Sequence, residues 1–212
     1  TADGPLGMSV AGVVVDVPGF TARMVDVEGG TDGELTSAVE AINVLAGNFA
    51  DGEYLIRTDI ESVVPFVDFG GYGGEFREMT APYLERTNDT SIENFTMSVT
   101  ADVTIPEGEW TIGFASSDGG RVQLEGVTFL ETYGESDSAV DGDDEIIFNK
   151  TRRHTWTRGT FTVGPDGLST RLSALFFENT GSDSFELAIN PVHTNARPRI
   201  SNKRGWELLQ DG

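Results

Sequence analysis

Apolar and polar residues alternate with a period of two along most of the chain. From Phe95 the apolar set is Phe95, Met97, Val99, Ala101 and Val103, interleaved with Thr96, Ser98, Thr100, Asp102 and Thr104. Successive strand side chains point to opposite faces, so this stretch predicts a strand with one buried and one wet face. Pro106-Glu107-Gly108 supplies a turn, and Trp110, Ile112 and Phe114 carry the alternation into a second strand. Beyond Ser116-Ser117-Asp118-Gly119-Gly120, Val122 and Leu124 alternate with Arg121, Gln123 and Glu125, and Gly126 closes the strand. The three stretches read as a meander whose second connection is a tight, acidic, glycine-rich loop.

Further strands are predicted over 8–17, 20–27, 54–60, 63–69, 145–149, 155–163, 168–178 and 184–190. Many short strands separated by Gly, Asp and Pro turns indicate an all-β antiparallel sandwich rather than a βαβ fold. One segment reads as a short helix. Leu35, Val39, Ile42 and Leu45 fall on one face, Ser37 and Glu40 have capping-box spacing, and Gly47 can end the turn. Residues 1–190 are therefore expected to form a single domain. From Pro191 the character changes: Arg197, Arg199, Lys203 and Arg204 crowd into an otherwise acidic chain. Residues 191–212 are expected to be a basic tail, a linker or an added edge strand.

Charge narrows the partners. The 212 residues carry 35 acidic against 14 basic side chains, a net charge of −21. Such a chain repels a phosphate backbone, so nucleic acid is not an expected partner. Lys150 and Lys203 are the only lysines, and an acidic, lysine-poor surface suits salty surroundings where counterions screen self-repulsion. No apolar run approaches the ~20 residues that cross a bilayer as a helix. Thr1 stands first with no charged-then-apolar leader, and the reading expects a mature form or an excised piece. The chain has no cysteine, which removes disulfides, zinc–thiolate sites and cysteine nucleophiles. Asn-x-Ser/Thr sequons at Asn88, Asn94 and Asn149 carry little weight in a sequence this rich in Ser and Thr.

Catalytic motifs are missing as well. His154 and His193 are the only histidines, and neither lies in an HExxH-like or G-x-S-x-G context. Gly71 and Gly73 begin a dinucleotide-like pattern, but the third position is Phe76 and no helix follows. No enzyme is expected.

The loop 116–120 is the candidate working end. Asp118 can ligate a cation, and Gly119 and Gly120 allow positive φ and close approach of a ligand to the backbone. On the loop alone, a hairpin turn in which Asp118 bonds neighbouring amides is the simpler account. Its surroundings add to this. The stretch Ile105 to Gly126, with Pro-Glu-Gly, Trp-Thr-Ile-Gly-Phe-Ala, Ser-Ser-Asp-Gly-Gly and Arg-Val-Gln-Leu-Glu-Gly in turn, resembles the core of a PA14 domain. Pro165-Asp166-Gly167-Leu168, then Phe176-Phe177-Glu178-Asn179-Thr180-Gly181, then Phe185-Glu186-Leu187, is similar to that family's closing hairpin. The resemblance runs from about residue 18 to residue 190, and the middle block is its specific part.

The resemblance implies an extracellular PA14-like β-sandwich. In lectin members, two consecutive loop aspartates, often joined by a cis peptide, hold a calcium ion that contacts sugar hydroxyls. Here Asp118 matches the second aspartate, while Ser117 stands at the first and offers a hydroxyl in place of a carboxylate. A second acidic run, Asp141-Gly142-Asp143-Asp144-Glu145, lacks EF-hand spacing. Both readings of it stay open, a calcium site through Asp141, Asp143 and Asp144 or a solvated loop. Trp156 could offer a sugar-stacking face, although a strand tryptophan is more often core. The expected function is a secreted or cell-surface carbohydrate-binding or adhesion module, calcium-assisted, with Ser117, Asp118, Gly119, Gly120 and Trp156 at the glycan. The alternative is a self-associating structural subunit of an appendage, matrix or surface layer, its basic tail docking on the acidic body of another copy.

Overall fold

Two antiparallel sheets face one another across an apolar interior. The computed structural model describes residues 12–16, 19–29, 34–70, 74–76, 93–137, 142–181 and 183–210. Among them the strands are β1 (Val14–Val15), β2 (Phe20–Gly29), β3 (Tyr54–Val64), β4 (Asp68–Gly70), β5 (Phe95–Ile105), β6 (Gly108–Ser117) and β7 (Gly120–Leu124). They continue as β8 (Glu131–Gly134), β9 (Glu145–Phe148), β10 (Thr155–Val163), β11 (Leu168–Glu178), β12 (Ser184–Asn190) and β13 (Glu207–Leu208), with one helix, α1 (Ala38–Ala46). One sheet runs β3-β2-β5-β11-β7-β9, with β1 also on β5. The other runs β13-β12-β6-β10-β8, with β4 also on β12.

The expected sandwich is present, but the meander is not. β5 and β7 both pair with β11, whereas β6 pairs with β10 and β12 in the opposite sheet. The chain therefore changes sheet twice, and the loop before Gly120 is a corner between layers rather than a hairpin. The same holds for β11 and β12, expected as a closing hairpin and found in different sheets. Period-two alternation reports which face is buried; it carries no information on which strand lies alongside.

The sandwich interior is aromatic. Phe95, Phe114, Phe161, Phe176 and Phe185 are fully buried there with Trp110, Ile112, Met97 and Val99. The outer face of the first sheet holds a second cluster, in which Val25, Val27, Leu175 and Phe177 receive α1. Ser37 Oγ accepts from the Glu40 amide, the Glu40 carboxylate accepts from the Ser37 amide, and Gly47 ends the helix at φ 71°, as its spacing predicts. The buried face differs from the expected stripe. Ala38, Ala41 and Val44 are buried beside Leu35, while Ile42 and Leu45 lie at the margin. Small alanines let the helix approach the sheet closely, so size alone misassigns the face.

Other differences have simple causes. The predicted strand over 63–69 is divided at Pro65, Val63 and Val64 ending β3 and Asp68 opening β4. Val14 and Val15 pair with Thr104 and Val103 of their own chain, while residues 8–11 of that predicted strand lie outside the described residues. Asn94 is buried, accepting from the Leu35 amide (2.6 Å) and donating to the Val27 carbonyl (3.0 Å). Asn149 accepts from the Val39 amide in the first turn of α1, and Asn88 lies outside the described residues. Near the C-terminus, β13 pairs with β12, and Trp206 is buried against Trp156 and Ala188 on the outer face of the second sheet.

Candidate functional site

Asp118 sits where β6 crosses to β7, and its carboxylate is held from two sides. Oδ1 accepts from the Arg152 amide (3.0 Å) and Oδ2 from the Asn179 amide (2.9 Å). These donors come from the β9–β10 and β11–β12 connections, so one side chain ties three loops together. The peptide joining Ser117 to Asp118 is cis. Ser116 Oγ donates to the Asp118 carbonyl (2.8 Å), which fixes the backbone before the corner. Burial raises the Asp118 pKa, and the backbone N–H groups of Asn179, Arg152 and Thr180 work against that rise.

Arg152 supports the corner from within. Its guanidinium donates to Ser116 Oγ (3.0 Å), Thr157 Oγ1 (2.8 Å) and the Glu135 carbonyl (3.2 Å). It also lies over the Phe148 ring at 4.3 Å. Burial pushes this guanidinium down to about 10. Above these groups lies a cleft of about 570 Å³ lined by Ser117, Asp118, Thr151, Arg152, Arg153, His154 and Thr180. Its walls offer hydroxyls, a carboxylate and guanidinium groups, the complement of a hydroxyl-rich ligand.

Glu178, last in β11, is fully buried, and neither carboxylate oxygen has a hydrogen-bond partner. Burial pushes its carboxyl up to about 8, and the negative charges of Asp118 and Glu93 add to that. At neutral pH Glu178 is therefore mostly the neutral acid, a buried carboxyl behind Asp118 that resists ionisation.

The structure brings Ser117 and Asp118 to one cleft but assigns the neighbouring glycines another task. Neither Gly119 nor Gly120 has positive φ, and both are buried. A Cβ at 119 would meet Phe177 Cε1 at 2.5 Å, the Phe148 carbonyl at 2.6 Å and the Lys150 carbonyl at 2.7 Å. A Cβ at 120 would meet the Leu175 carbonyl at 2.8 Å. These glycines let the corner pack against its own sheet, which corrects the expectation that they admit a ligand. Gly119→Ala is expected to cost about 2 kcal/mol by overpacking, read as a lowered midpoint in urea unfolding.

Trp156 is corrected too. It is 1% exposed, packed in a cluster with Trp206, Ala115 and Ala188, with Phe76 against it. Its indole is core and presents no stacking face. Asp143 and Asp144 do not converge with Asp118. Asp143 accepts from Thr128 Oγ1 (3.0 Å) and Asp144 from Gln123 Nε2 (3.2 Å), at the far end of β7 and about 13 Å along the strand from the corner. Glu145 is buried against Arg121 (2.6 Å), and Asp141 lies outside the described residues.

No protein-family model matches the sequence, and no curated protein matches it. Solved structures do. A PA14 sugar-binding domain from an RTX adhesin superposes with TM-score 0.57 at 16% identity, covering 92% of this chain and 96% of that one. The chain has the PA14 fold. The epithelial adhesin 9 A domain from Candida glabrata, in complex with Galb1-4GlcNAc, gives TM-score 0.50 at 13% identity, covering 96% of this chain and 93% of that one.

Sequence reasoning missed the groups that hold Asp118 in place. Arg152 and Asn179 act through backbone amides, which leave no side-chain signature. Glu178 was legible only as part of the aromatic-pair motif, since a strand-end glutamate ordinarily reads as solvated. Glu75, His154 and Glu186 lie 32 to 111 residues apart in sequence and meet only in the fold.

Proposed function

We propose that this chain is a carbohydrate-binding adhesion module, not an enzyme, that engages glycans at the cleft around Asp118 and works outside the cell. The observation that carries the reading is the Asp118 carboxylate, clamped by two backbone amides from separate loops at an open, hydroxyl-lined cleft. A fixed acceptor of this kind orients a sugar hydroxyl without first losing side-chain freedom. The solved structures sharing the fold include a sugar-binding domain and a glycan-bound adhesin domain, which supports the same class of ligand. Among the described residues no helix is long and apolar enough to cross a membrane. β3, an edge of its sheet, carries Arg57, Asp59 and Glu61, charges that blunt strand addition to this edge.

Calcium assistance is part of the proposal, and the donor chemistry fits it. Asp118 provides hard carboxylate oxygens with acceptor capacity beyond the backbone amides that hold them, and Ser117 adds a hydroxyl at the same cleft. Asp118 and Ser117 would hold the ion. Bound there, it would supply positive charge and open coordination positions for sugar hydroxyls. Ser117 lowers the charge of this donor set relative to a pair of carboxylates, so weak calcium binding is expected.

A glycan array probed with calcium and again with chelator tests this directly. Calcium-dependent signal is expected from the native chain and about tenfold tighter calcium binding from Ser117→Asp, which adds a carboxylate. Asp118→Ala should abolish the signal. No glycan signal from the native chain with calcium present overturns the reading.

A further inference from the structure

Glu75, His154 and Glu186 form a second site, on the side of the second sheet away from the sandwich interior. His154 Nε2 lies 2.9 Å from Glu75 Oε2 and 3.7 Å from Glu186 Oε2. Four ligands placed tetrahedrally around a metal at about 2.0 Å are separated by roughly 3.3 Å, and the two observed distances bracket that value. All three ligand atoms lie within 4.8 Å of one another, the only such group of three among the described residues.

An independent feature points to an occupant. Glu186 is fully buried in the middle of β12, and its Oε2, aimed at His154, has no hydrogen-bond partner. Its Oε1 is satisfied by the Phe76 amide (2.9 Å). A buried carboxylate oxygen left bare beside a second carboxylate is costly unless a cation or a proton lies between them. Burial pushes the Glu186 carboxyl up to about 8, with Asp68 and Glu75 adding to the rise. Burial opposes ionisation of Glu75 also, but hydrogen bonds from His154 and Trp156 outweigh it and draw its pKa down.

The surroundings orient the ligands as a metal shell would. His154 Nδ1 bonds Ser184 Oγ at 2.5 Å, a partner that could hold a proton on Nδ1 and free Nε2 for a metal ion in place of its bond to Glu75. Trp156 Nε1 donates to Glu75 Oε2 at 3.0 Å and steadies that carboxylate. Gly74 lets the segment pass directly over Glu186, since a Cβ there would lie 2.5 Å from Glu186 Oε1. Lys203 donates to the Glu75 carbonyl from the C-terminal segment.

We propose that Glu75, His154 and Glu186 bind one divalent transition-metal ion of the zinc class, which staples residues 74–76 to β12 and to the start of β10. One imidazole nitrogen and two carboxylate oxygens suit zinc better than calcium, which prefers six or more oxygens. The site borders the Asp118 cleft, whose wall includes His154, but its test reads zinc directly and does not depend on glycan binding.

The experiment is a zinc titration of chelator-treated native chain, followed by calorimetry, melting temperature and tryptophan emission, with calcium and magnesium in parallel. One zinc per chain, a melting temperature raised by about 5 °C and a change in emission from buried Trp156 are expected. Glu186→Gln keeps the shape of the side chain and should bind zinc at least about 100-fold more weakly, with apo stability equal to or above that of the native chain. Glu75→Gln, at a half-buried position, provides a second variant with the same expected loss. Absence of a zinc shift in the native chain, or native zinc binding in both variants, overturns the proposal. A response to calcium alone also overturns it, and stability that falls with rising pH without any response to zinc assigns the gap to a shared proton.

Discussion

Phe176→Ala is expected to destabilise the fold by about 4 kcal/mol. Phe176 is fully buried, stacks on Phe185 at 4.9 Å and 7°, and meets Phe95 edge-on at 5.5 Å. Phe185 belongs to β12 in the facing sheet, so this pair is a direct aromatic contact between the two layers. Alanine would remove both ring contacts and leave a cavity walled by strands from both sheets, which cannot collapse without shifting a hydrogen-bond ladder. At this chain length the cost corresponds to a fall of roughly 8–16 °C in melting temperature. Urea unfolding followed by tryptophan emission reads the effect, and a loss below about 1 kcal/mol would contradict this account of the core. The consequence reaches the cleft as well. Phe176 pairs in register with Gly120, and three residues on lies Asn179, whose amide holds Asp118. Glycan affinity is therefore expected to fall along with stability in this variant.

How far the sequence anticipates this arrangement depends on whether the determining interactions are local. Alternation from Phe95 to Val103 and from Trp110 to Phe114 locates β5 and β6, because a strand with one buried face repeats every second residue. Ser37, Glu40 and Gly47 bound α1 closely, because caps act within one turn. Partner choice is different. Nothing between Phe95 and Leu124 states that β6 leaves the sheet shared by β5 and β7, since that follows from layer packing among strands far apart in sequence. The same limit applies at the site. Asp118 stands out from its motif, but Gly119 and Gly120 read as ligand-facing until the Phe148, Lys150 and Leu175 carbonyls are seen against them. Trp156 is ambiguous in sequence because a strand tryptophan can face either way, and Trp206, fifty residues later, decides it. The triad of Glu75, His154 and Glu186 leaves no spacing signature at all.

Glu178 leads to a prediction of opposite sign. In the folded chain this carboxyl is pushed up to about 8, burial being the larger cause and the Asp118 charge the next. An unfolded glutamate titrates near 4.3. The folded state therefore holds the proton more tightly than the unfolded state, and between these two values folding must retain a proton that the unfolded chain would release. The contribution is neutral below about pH 4, grows increasingly unfavourable as pH rises and levels off above about pH 8. Glutamine reproduces the protonated shape and cannot ionise. Glu178→Gln is accordingly expected to match the native chain at pH 4 and to exceed it by up to about 4 kcal/mol at pH 8, or roughly 8–16 °C in melting temperature. Melting curves across this pH range, recorded in chelator to keep divalent ions out, provide the measurement. An equal gain at every pH would mean that glutamine simply packs better, and no gain at pH 8 would mean that Glu178 finds a partner when it ionises. The expected pattern would show that the loop end of this PA14 fold buries a carboxyl behind Asp118 that stays protonated until about pH 8 and, once ionised, lowers stability while favouring positive charge at the cleft.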